Sequence, residues 1–295
     1  MSDKTSLIIT GGTGFIGSYL LKKLLSDGYK VFAVSRKLDQ NFIHPDLTWV
    51  SWENYKTDIP EDENIYAVLN LATTYGQNNE AEIDILNCNV ELPLMLFRYA
   101  ISIGAKKIIN TDSFFGKPEY DYQHLKTYIK SKNLLVEKSK KLIKNKQISL
   151  INLRLEHVFG ANDGEKKFVT SLLKDFYLEK ESIPLTDGTQ KRDFIYIDDV
   201  VRAFSIVISN HDEYGFTEHE VGSGKSIELR QFCIELANAF NVSSSILNFG
   251  ALEHRDNEIM ESSADISSLI SIGWHPKWDL TSAILDLAKK QTPLN

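Results

Sequence analysis

The feature that most constrains the fold is a regular alternation of short apolar segments and helical patterns over the first half of the chain. Five segments rich in Ile, Val and Leu are predicted to be buried strands: 6–10, 29–35, 66–72, 106–111 and 149–155. Between them, apolar residues recur at helical spacing over 17–28, about 79–104 and 128–144. Strands that alternate with helices predict an α/β fold with a doubly wound parallel sheet.

The alternation weakens beyond about residue 160. The later predictions are two helices and two strand candidates: 222–240, 280–290, 193–197 and 245–249. This change predicts a first domain over 1–160, to which a segment about 187–205 returns, and a smaller C-terminal α/β domain over 161–295.

A glycine pattern follows the first predicted strand. The segment GGTGFIG (11–17) has glycines three residues apart, and part of it also matches G-x-G-x-x-G. Glycine permits a tight turn, close approach of the backbone to a diphosphate and close packing of the next helix, whose first N–H groups can bind an anion. Because it stands between a strand and an amphipathic helix, the pattern predicts a dinucleotide site. The expected contacts are Gly11, Gly14, Phe15, Ile16 and Gly17.

The end of the second predicted strand indicates which dinucleotide binds. An NAD site usually has an acidic residue there, which holds the ribose 2′-hydroxyl. This chain has Ser35, Arg36 and Lys37 instead, and a hydroxyl followed by two cations suits a 2′-phosphate. The alternative is that Arg36 and Lys37 are ordinary surface charges. The sequence predicts NADP(H).

A tyrosine and a lysine lie four residues apart on the third predicted helix. Tyr128 and Lys132 therefore share one helix face. A phenol with a pKa near ~10 is a poor acid–base catalyst at neutral pH, and a neighbouring cation is expected to lower that pKa. A tyrosine and a lysine at this spacing are common in helices and alone indicate no function. Here the glycine pattern and Thr111, at the end of the fourth predicted strand, favour a catalytic pair.

The segment GSGKS (222–226) looks like a phosphate-binding loop of the nucleotide-hydrolase type. Such a loop needs a glycine five residues before Gly224, and His219 stands at that position. This interpretation is therefore rejected.

The motifs together resemble the extended short-chain dehydrogenase/reductase family, in its nucleotide-sugar branch. Eight segments carry the resemblance, in the family's order and over nearly the whole chain: GGTGFIG (11–17), NLAT (70–73), NTDSFFG (110–116), YIKSK (128–132), RLEHVFG (154–160), RDFIYIDDV (192–200), VGSGKSIEL (221–229) and RDNE (255–258). The resemblance implies a Rossmann-type first domain and a second domain that mainly binds a nucleotide sugar.

The resemblance also implies roles for residues at matching positions. Thr111 would hold the reacting sugar oxygen with help from Asp112, Tyr128 would exchange a proton with that oxygen, and Lys132 would hold the nicotinamide ribose. Further cofactor contacts are implied for Leu71 and Ala72. Substrate contacts are implied for Ser113, His157, Arg192 and Arg255, and the two arginines suit a diphosphate.

The third residue of the Thr111-Asp112-Ser113 triplet selects the reaction. In the 4,6-dehydratases of this branch a glutamate at that position removes a proton during water loss, so its replacement by serine disfavours dehydration. The resemblance then implies NADPH-dependent reduction of the C4 ketone of a CDP- or dTDP-linked 4-keto-6-deoxy- or 3,6-dideoxyhexose, in O-antigen or other surface polysaccharide synthesis. The alternatives are an NAD-retaining nucleotide-sugar 4-epimerase and a non-catalytic NADP-sensing regulatory protein.

Composition bears on partners and location. Lys plus Arg is 33, Asp plus Glu is 40 and the formal net charge is −7, which disfavours nucleic acid or an anionic membrane as partner. The two cysteines and seven histidines show no ligand spacing, so no metal is expected. No segment has the roughly 18 apolar residues of a membrane span, and a cytoplasmic protein is expected. Apolar residues on the predicted helix over 128–144 and near 92–97, with the resemblance, predict a homodimer.

Overall fold

The computed structural model describes residues 5–36, 42–76, 79–210 and 213–292. In these ranges the strands are Ser6–Thr10 (β1), Lys30–Ser35 (β2), Leu47–Ser51 (β3), Ile65–Asn70 (β4), Lys107–Ser113 (β5), Ser149–Leu155 (β6), His157–Phe159 (β7), Ile183–Leu185 (β8), Lys191–Arg192 (β9), Phe194–Tyr196 (β10), Gly215–Val221 (β11), Ile227–Glu228 (β12) and Leu247–Phe249 (β13).

The α-helices are Phe15–Ser26 (α1), Tyr55–Asp58 (α2), Glu82–Leu86 (α3), Leu92–Ser102 (α4), Lys126–Leu142 (α5), Phe168–Tyr177 (α6), Ile197–Ser209 (α7), Leu229–Ala239 (α8), Ser267–Ser271 (α9) and Leu280–Lys290 (α10). A π-helical turn, Asn87–Glu91, joins α3 to α4, and short 3₁₀ turns lie at Phe114–Gly116 and Ser244–Ile246.

Seven strands form one sheet in the order β11-β6-β5-β4-β1-β2-β3. The pairs β3–β2, β2–β1, β1–β4 and β4–β5 are all parallel. The predicted doubly wound parallel sheet is confirmed. Chain order reverses at β1, which lies between β2 and β4, and open α/β sheets bind ligands at such a switch point, beyond the carboxyl ends of the strands.

A row of apolar side chains crosses the sheet and forms its core. Ile8, Phe32, Val68 and Ile108 stand at paired register positions of β1, β2, β4 and β5, and each is at most 2% exposed. Leu135 of α5 belongs to the same buried cluster. Burial of one such side chain stabilises the fold by about 1.5–3 kcal/mol, so this row fixes the strands and helices that carry the polar residues described below.

Several elements differ from the sequence predictions, among them α6, α7 and the main-sheet strand β11, none of which was predicted. The edge strand β3 was not predicted, because Val50 is its single buried residue and its sequence lacks a run of buried aliphatic side chains. The helix predicted over 222–240 begins at Leu229 instead. Gly224 adopts a positive φ of 78°, which a helix does not contain, and the preceding residues form a loop and β12.

The chain divides into two compact units. The first contains 1–118, 125–154 and 201–219, and the second contains 119–124, 155–200 and 220–295. The segment that returns to the first unit is therefore 201–219 rather than about 187–205, and the first unit ends at 154 rather than 160. The reason is that β9 and β10 pair with β12 and β7, which keeps them within the second unit.

Within the described ranges, no helix is both long enough and apolar enough to cross a membrane. The same part of the chain contains no cluster of three His, Cys, Asp or Glu side chains that could hold a metal ion.

Candidate active site

The glycine turn joins β1 to α1. Gly11 has a φ of 72°, and its carbonyl accepts a hydrogen bond of 2.9 Å from the Gly14 N–H. A Cβ on Gly17 would lie 2.0 Å from the Gly11 oxygen, and a Cβ on Gly11 would lie 2.7 Å from the Ala72 nitrogen. A Cβ on Gly12 would meet nothing closer than 3.5 Å. The turn therefore requires the glycines at 11 and 17, whereas position 12 has room for a side chain.

The loop after β4 lies against this turn. The N–H groups of Leu71 and Ala72 both donate to Thr10 Oγ1, each at 3.3 Å. The predicted cofactor contacts Gly11, Gly14, Phe15, Ile16, Gly17, Leu71 and Ala72 are thus brought together at the N-terminus of α1. A backbone without Cβ atoms at a helix N-terminus fits a dinucleotide diphosphate.

The segment 35–37, from which the sequence predicts NADP(H) rather than NAD, begins at the end of β2. Ser35 is the last residue of the strand, and its carbonyl accepts from the Trp52 N–H at 3.1 Å. Arg36 follows and is exposed. Lys37 lies outside the described residues. Binding of a 2′-phosphate by this segment stays a prediction.

Hydrogen-bonded polar side chains cross the sheet near the carboxyl ends of four strands. Thr10 Oγ1 donates to Asn70 Oδ1 at 3.0 Å, Asn70 Nδ2 to Asn110 Oδ1 at 2.9 Å, and Asn110 Nδ2 to Asn152 Oδ1 at 2.7 Å. Asn152 Nδ2 then donates to Asp112 Oδ2 at 2.9 Å. We call Thr10, Asn70, Asn110 and Asn152 the asparagine row. It connects the loop beside the glycine turn to Asp112.

Asp112 forms a salt bridge in the same region. Its Oδ2 lies 3.3 Å from Arg154 Nη2, which also lies 3.2 Å from Glu218 Oε2. Successive strand residues point to opposite faces of a sheet, so Asp112 faces away from Thr111 and Ser113. This placement favours an electrostatic role, and direct contact of Asp112 with a substrate stays a prediction.

Thr111, Ser113, Tyr128 and Lys132 come together where β5 meets α5. Lys132 Nζ donates to the Thr111 carbonyl at 2.9 Å, and Tyr128 is hydrogen-bonded to Ser113. Tyr128 is only 3% exposed. Thr111 Oγ1 is buried and has no hydrogen-bond partner among the described residues. Thr111 and Ser113 are two residues apart on β5 and so point to the same face of the sheet. A buried hydroxyl without a partner on that face can receive a polar atom of a ligand.

The pKa of Tyr128 moves in the direction opposite to the sequence prediction. Burial raises it well above its usual value, and the neighbouring Tyr75 and Asp112 raise it further. Lys132 does not reverse this effect. Burial lowers the pKa of Lys132 as well, and its Nζ is directed to the Thr111 carbonyl, 5.8 Å from the centre of the Tyr128 ring. Tyr128 therefore keeps its proton at neutral pH.

The second unit holds the predicted substrate arginines. Arg192 is 7% exposed and forms a salt bridge with Glu258. Arg255 is exposed, and its Nη1 donates to Tyr122 Oη at 2.8 Å. The Glu258 N–H donates to the Arg255 carbonyl at 3.1 Å, so the two arginines belong to one cluster.

His157 lies next to this cluster. It is the first residue of β7, its N–H donates to the Asp193 carbonyl at 3.0 Å, and its ring centre lies 5.7 Å from that of Phe194. Burial lowers the pKa of His157, and Arg192 lowers it further. His157 is thus a neutral side chain at pH 7, suited to hydrogen bonding rather than to charge pairing.

The loop of the GSGKS segment binds an internal carboxylate. The N–H groups of Ser223 and Gly224 donate to Asp193 at 2.7 and 2.9 Å, and the Ala264 N–H donates to it at 3.1 Å. A Cβ on Gly222 would lie 2.4 Å from an Asp193 oxygen. Because these donors already hold Asp193, the loop is a structural anchor.

The model of the NAD dependent epimerase/dehydratase family matches residues 7–220. The chain belongs to this family. A CDP-abequose synthase of Salmonella typhimurium (strain LT2) is 38% identical over 294 residues, covering 97% of this chain and 98% of that protein. A CDP-abequose synthase of Salmonella muenchen is 37% identical, covering 94% of this chain and 95% of that protein.

A solved structure of a family enzyme gives the same architecture. The UDP-glucuronic acid 4-epimerase of Bacillus cereus, in complex with UDP-glucuronic acid and NAD, matches with a TM-score of 0.81 over 97% of this chain and 98% of that chain, at 20% identity. At that identity the likeness shows the fold alone.

Several residues that contact the predicted site residues were not assigned from the sequence. Arg154 and Glu258 lie within segments that resemble the family, RLEHVFG and RDNE, and a search for charged residues in those segments would have found them. Tyr75, Tyr122 and Asn152 carry no spacing signal. Their partners Tyr128, Arg255 and Asp112 lie far away in sequence, so only the fold brings them together.

Proposed function

We propose that this protein is an NADPH-dependent reductase of the C4 ketone of a nucleotide-linked 4-keto-6-deoxy- or 3,6-dideoxyhexose. The observation that carries the proposal is a neutral, buried Tyr128 hydrogen-bonded to Ser113, on the same strand as Thr111, whose buried hydroxyl lacks a partner among the described residues. The two relatives named CDP-abequose synthase, at 38% and 37% identity, support the substrate class and a place in O-antigen sugar synthesis.

The residues divide the work of ketone reduction. The glycine turn would hold the diphosphate of the cofactor, whose reduced nicotinamide would supply the hydride. Thr111 Oγ1 donates a hydrogen bond to the ketone oxygen, and Tyr128 gives its proton to that oxygen as negative charge develops on it. Lys132 donates to the Thr111 carbonyl and keeps further N–H donors for the nicotinamide ribose.

The same geometry argues against the other reactions of the family. Elimination of water needs a carboxylate base, and at that position Ser113 offers a hydroxyl that is hydrogen-bonded to Tyr128. A 4-epimerase must first remove a proton from an alcohol, which requires Tyr128 as a phenolate. Burial, Tyr75 and Asp112 all oppose the phenolate because they raise its pKa.

The nucleotide diphosphate is assigned to the second unit, at Arg192 and Arg255, with His157 as a neutral hydrogen-bonding neighbour. CDP is the favoured nucleotide because of the named relatives, with dTDP as the alternative. Ser35, Arg36 and Lys37 support NADPH over NADH. We further propose a cytoplasmic homodimer, on the family resemblance.

The test is to incubate the purified protein with CDP- and dTDP-linked 4-keto-6-deoxyhexoses and either NADPH or NADH, and to identify the product by NMR. We expect one NADPH oxidised per C4 alcohol formed, with NADPH preferred. Protein that is purified with bound NAD and interconverts C4 epimers without added reductant would be an epimerase. Tight NADPH binding with no turnover of either sugar would indicate a sensing protein.

A further inference from the structure

A second tyrosine lies against the proton donor. The rings of Tyr75 and Tyr128 are stacked, with centroids 4.6 Å apart and an angle of 24° between the ring planes. The two hydroxyls share a hydrogen bond. We propose that Tyr75 is a positioning residue for Tyr128: its ring covers Tyr128 and its hydroxyl holds the O–H that donates the proton. This inference rests on the proposed reductase function and deepens it.

One buried side chain holds both tyrosines in place. Asn89 accepts from the Thr74 N–H at 2.8 Å and donates to the Thr74 carbonyl at 2.8 Å, which fixes the backbone next to Tyr75. Asn89 Nδ2 also donates to Ser131 Oγ at 2.9 Å, and Ser131 Oγ donates to the Tyr128 carbonyl at 2.6 Å. The loop and the helix that carry the two tyrosines are therefore joined through Asn89.

The position of Asn89 depends on the π-helical turn between α3 and α4. Such turns are rare and occur frequently at functional sites, because the additional residue re-aims side chains that a regular α-helix would turn elsewhere. Asn89 is 1% exposed, and its side chain is hydrogen-bonded to the loop and to α5. The backbone of the π-helical turn therefore places Asn89 where it joins the loop to α5.

Tyr75 acts on Tyr128 together with the charges around it. The titratable groups that act on Tyr128 are Tyr75 from the loop after β4 and, through its charge, Asp112 of β5. Lys132 lies on the same helix, 5.8 Å from the centre of the Tyr128 ring, and Cys88 of the π-turn acts in turn on Lys132. Tyr75 raises the pKa of Tyr128 through the hydrogen bond between the two side chains. The negative charge that Tyr75 carries when it is ionised raises the pKa of Tyr128 further. A phenol that stays protonated is the form that a reductase needs.

The test compares Tyr75→Phe, which keeps the ring and removes the hydroxyl, with the wild-type protein. Tyrosines labelled with ¹³C at Cζ are titrated by NMR, and the Tyr128 resonance is assigned by its loss in Tyr128→Phe. We expect Tyr128 to lose its proton at lower pH in Tyr75→Phe than in the wild-type protein, because the hydrogen bond and the charge of Tyr75 no longer oppose the phenolate. The control Tyr214→Phe removes the hydroxyl of an exposed tyrosine and should leave the Tyr128 titration unchanged.

The pH profile gives a second readout. In Tyr75→Phe the alkaline limb of kcat should move to lower pH, whereas a merely structural change would lower kcat at every pH alike. Tyr75→Leu removes the ring as well and should shift the Tyr128 titration at least as far. Equal Tyr128 titrations in wild type and Tyr75→Phe, over the pH range in which both stay folded, overturn the inference. A shifted titration in a protein that reduces no keto sugar would instead overturn the proposed function alone.

Discussion

Tyr128 is a buried side chain of α5 whose hydroxyl is bound by Ser113 and Tyr75 and whose carbonyl is held by Ser131. Phenylalanine at this position keeps the ring and removes the proton donor. We expect Tyr128→Phe to lower keto-sugar turnover by about 10²–10⁴-fold. NADPH binding, followed by cofactor fluorescence, should stay at the wild-type level, and undiminished turnover would exclude Tyr128 from proton transfer.

Asp163 is a residue whose charge opposes folding. Burial raises its pKa from the ordinary 3.8 to about 6, although its carboxylate accepts a 2.7 Å hydrogen bond from the Gly164 N–H. The folded state therefore binds more protons than the unfolded state between these values, and stability is lost as pH rises through them. Asparagine keeps the acceptor without the charge.

We expect Asp163→Asn to raise the free energy of unfolding at pH 7.5 by about 1–3 kcal/mol, and to change it little near pH 4. Urea unfolding at the two pH values measures the difference. The exposed Asp62→Asn serves as a control for loss of one negative charge. An equal effect of Asp163→Asn at both pH values would contradict the assignment of the effect to protonation.

At the scale of elements, the contact of α1 with the turn after β1 depends on the absence of side chains. A Cβ on Gly17 would lie 2.0 Å from the Gly11 oxygen, and backbone atoms cannot yield as a flexible side chain can. We expect Gly17→Ala to lower the melting temperature of the protein without cofactor and to abolish NADPH binding. Gly12→Ala, whose Cβ would meet the Trp49 ring at 3.5 Å, is the matched control and should melt close to wild type.

The asparagine row ties β1, β4, β5 and β6 together within the core. Asn110→Val would leave the Asn70 amide without its acceptor and the Asn152 oxygen without its donor. Each buried polar group left unpaired costs about 1–3 kcal/mol, so for the two groups we expect a loss of about 2–6 kcal/mol in urea unfolding. The same change at the exposed Asn248 of β13 should cost far less, and a similar loss at both sites would show that the row adds no stability.

At the scale of the whole molecule, the proposed ligands are divided between the two units, with the cofactor assigned to the first and the nucleotide diphosphate to the second. Arg255 is the better test of this division, since truncation of Arg192 would leave Glu258 without its ion pair. We expect Arg255→Ala to raise KM for the nucleotide sugar by about 10–100-fold, the equivalent of one charged hydrogen bond. The Kd of NADPH should not change.

Arg98→Ala removes the same charge from an exposed position of α4 and is the control for net charge. A KM for Arg255→Ala equal to that of Arg98→Ala would remove Arg255 from the diphosphate site. A weakened NADPH affinity would contradict the division of ligands between the units.

Features within one element could be predicted from the sequence, and features that depend on packing could not. The bounds of β1 and β6 match the predictions, because each strand is a short run of buried aliphatic residues. The spacing of Tyr128 and Lys132 likewise holds within one helix. The prediction that the pKa of Tyr128 is lowered was wrong. That pKa depends on burial and on the contact with Tyr75, which sequence spacing does not encode.

The π-helical turn at Asn87–Glu91 limits how this chain can change by insertion or deletion. A deletion of one residue within it would restore a regular α-helix between α3 and α4, which is the more common backbone. The same deletion would rotate Asn89 by about 100° around the helix axis and turn its amide away from Thr74 and Ser131. A regular α-helix at this segment and the Asn89 link between the loop after β4 and α5 therefore exclude each other.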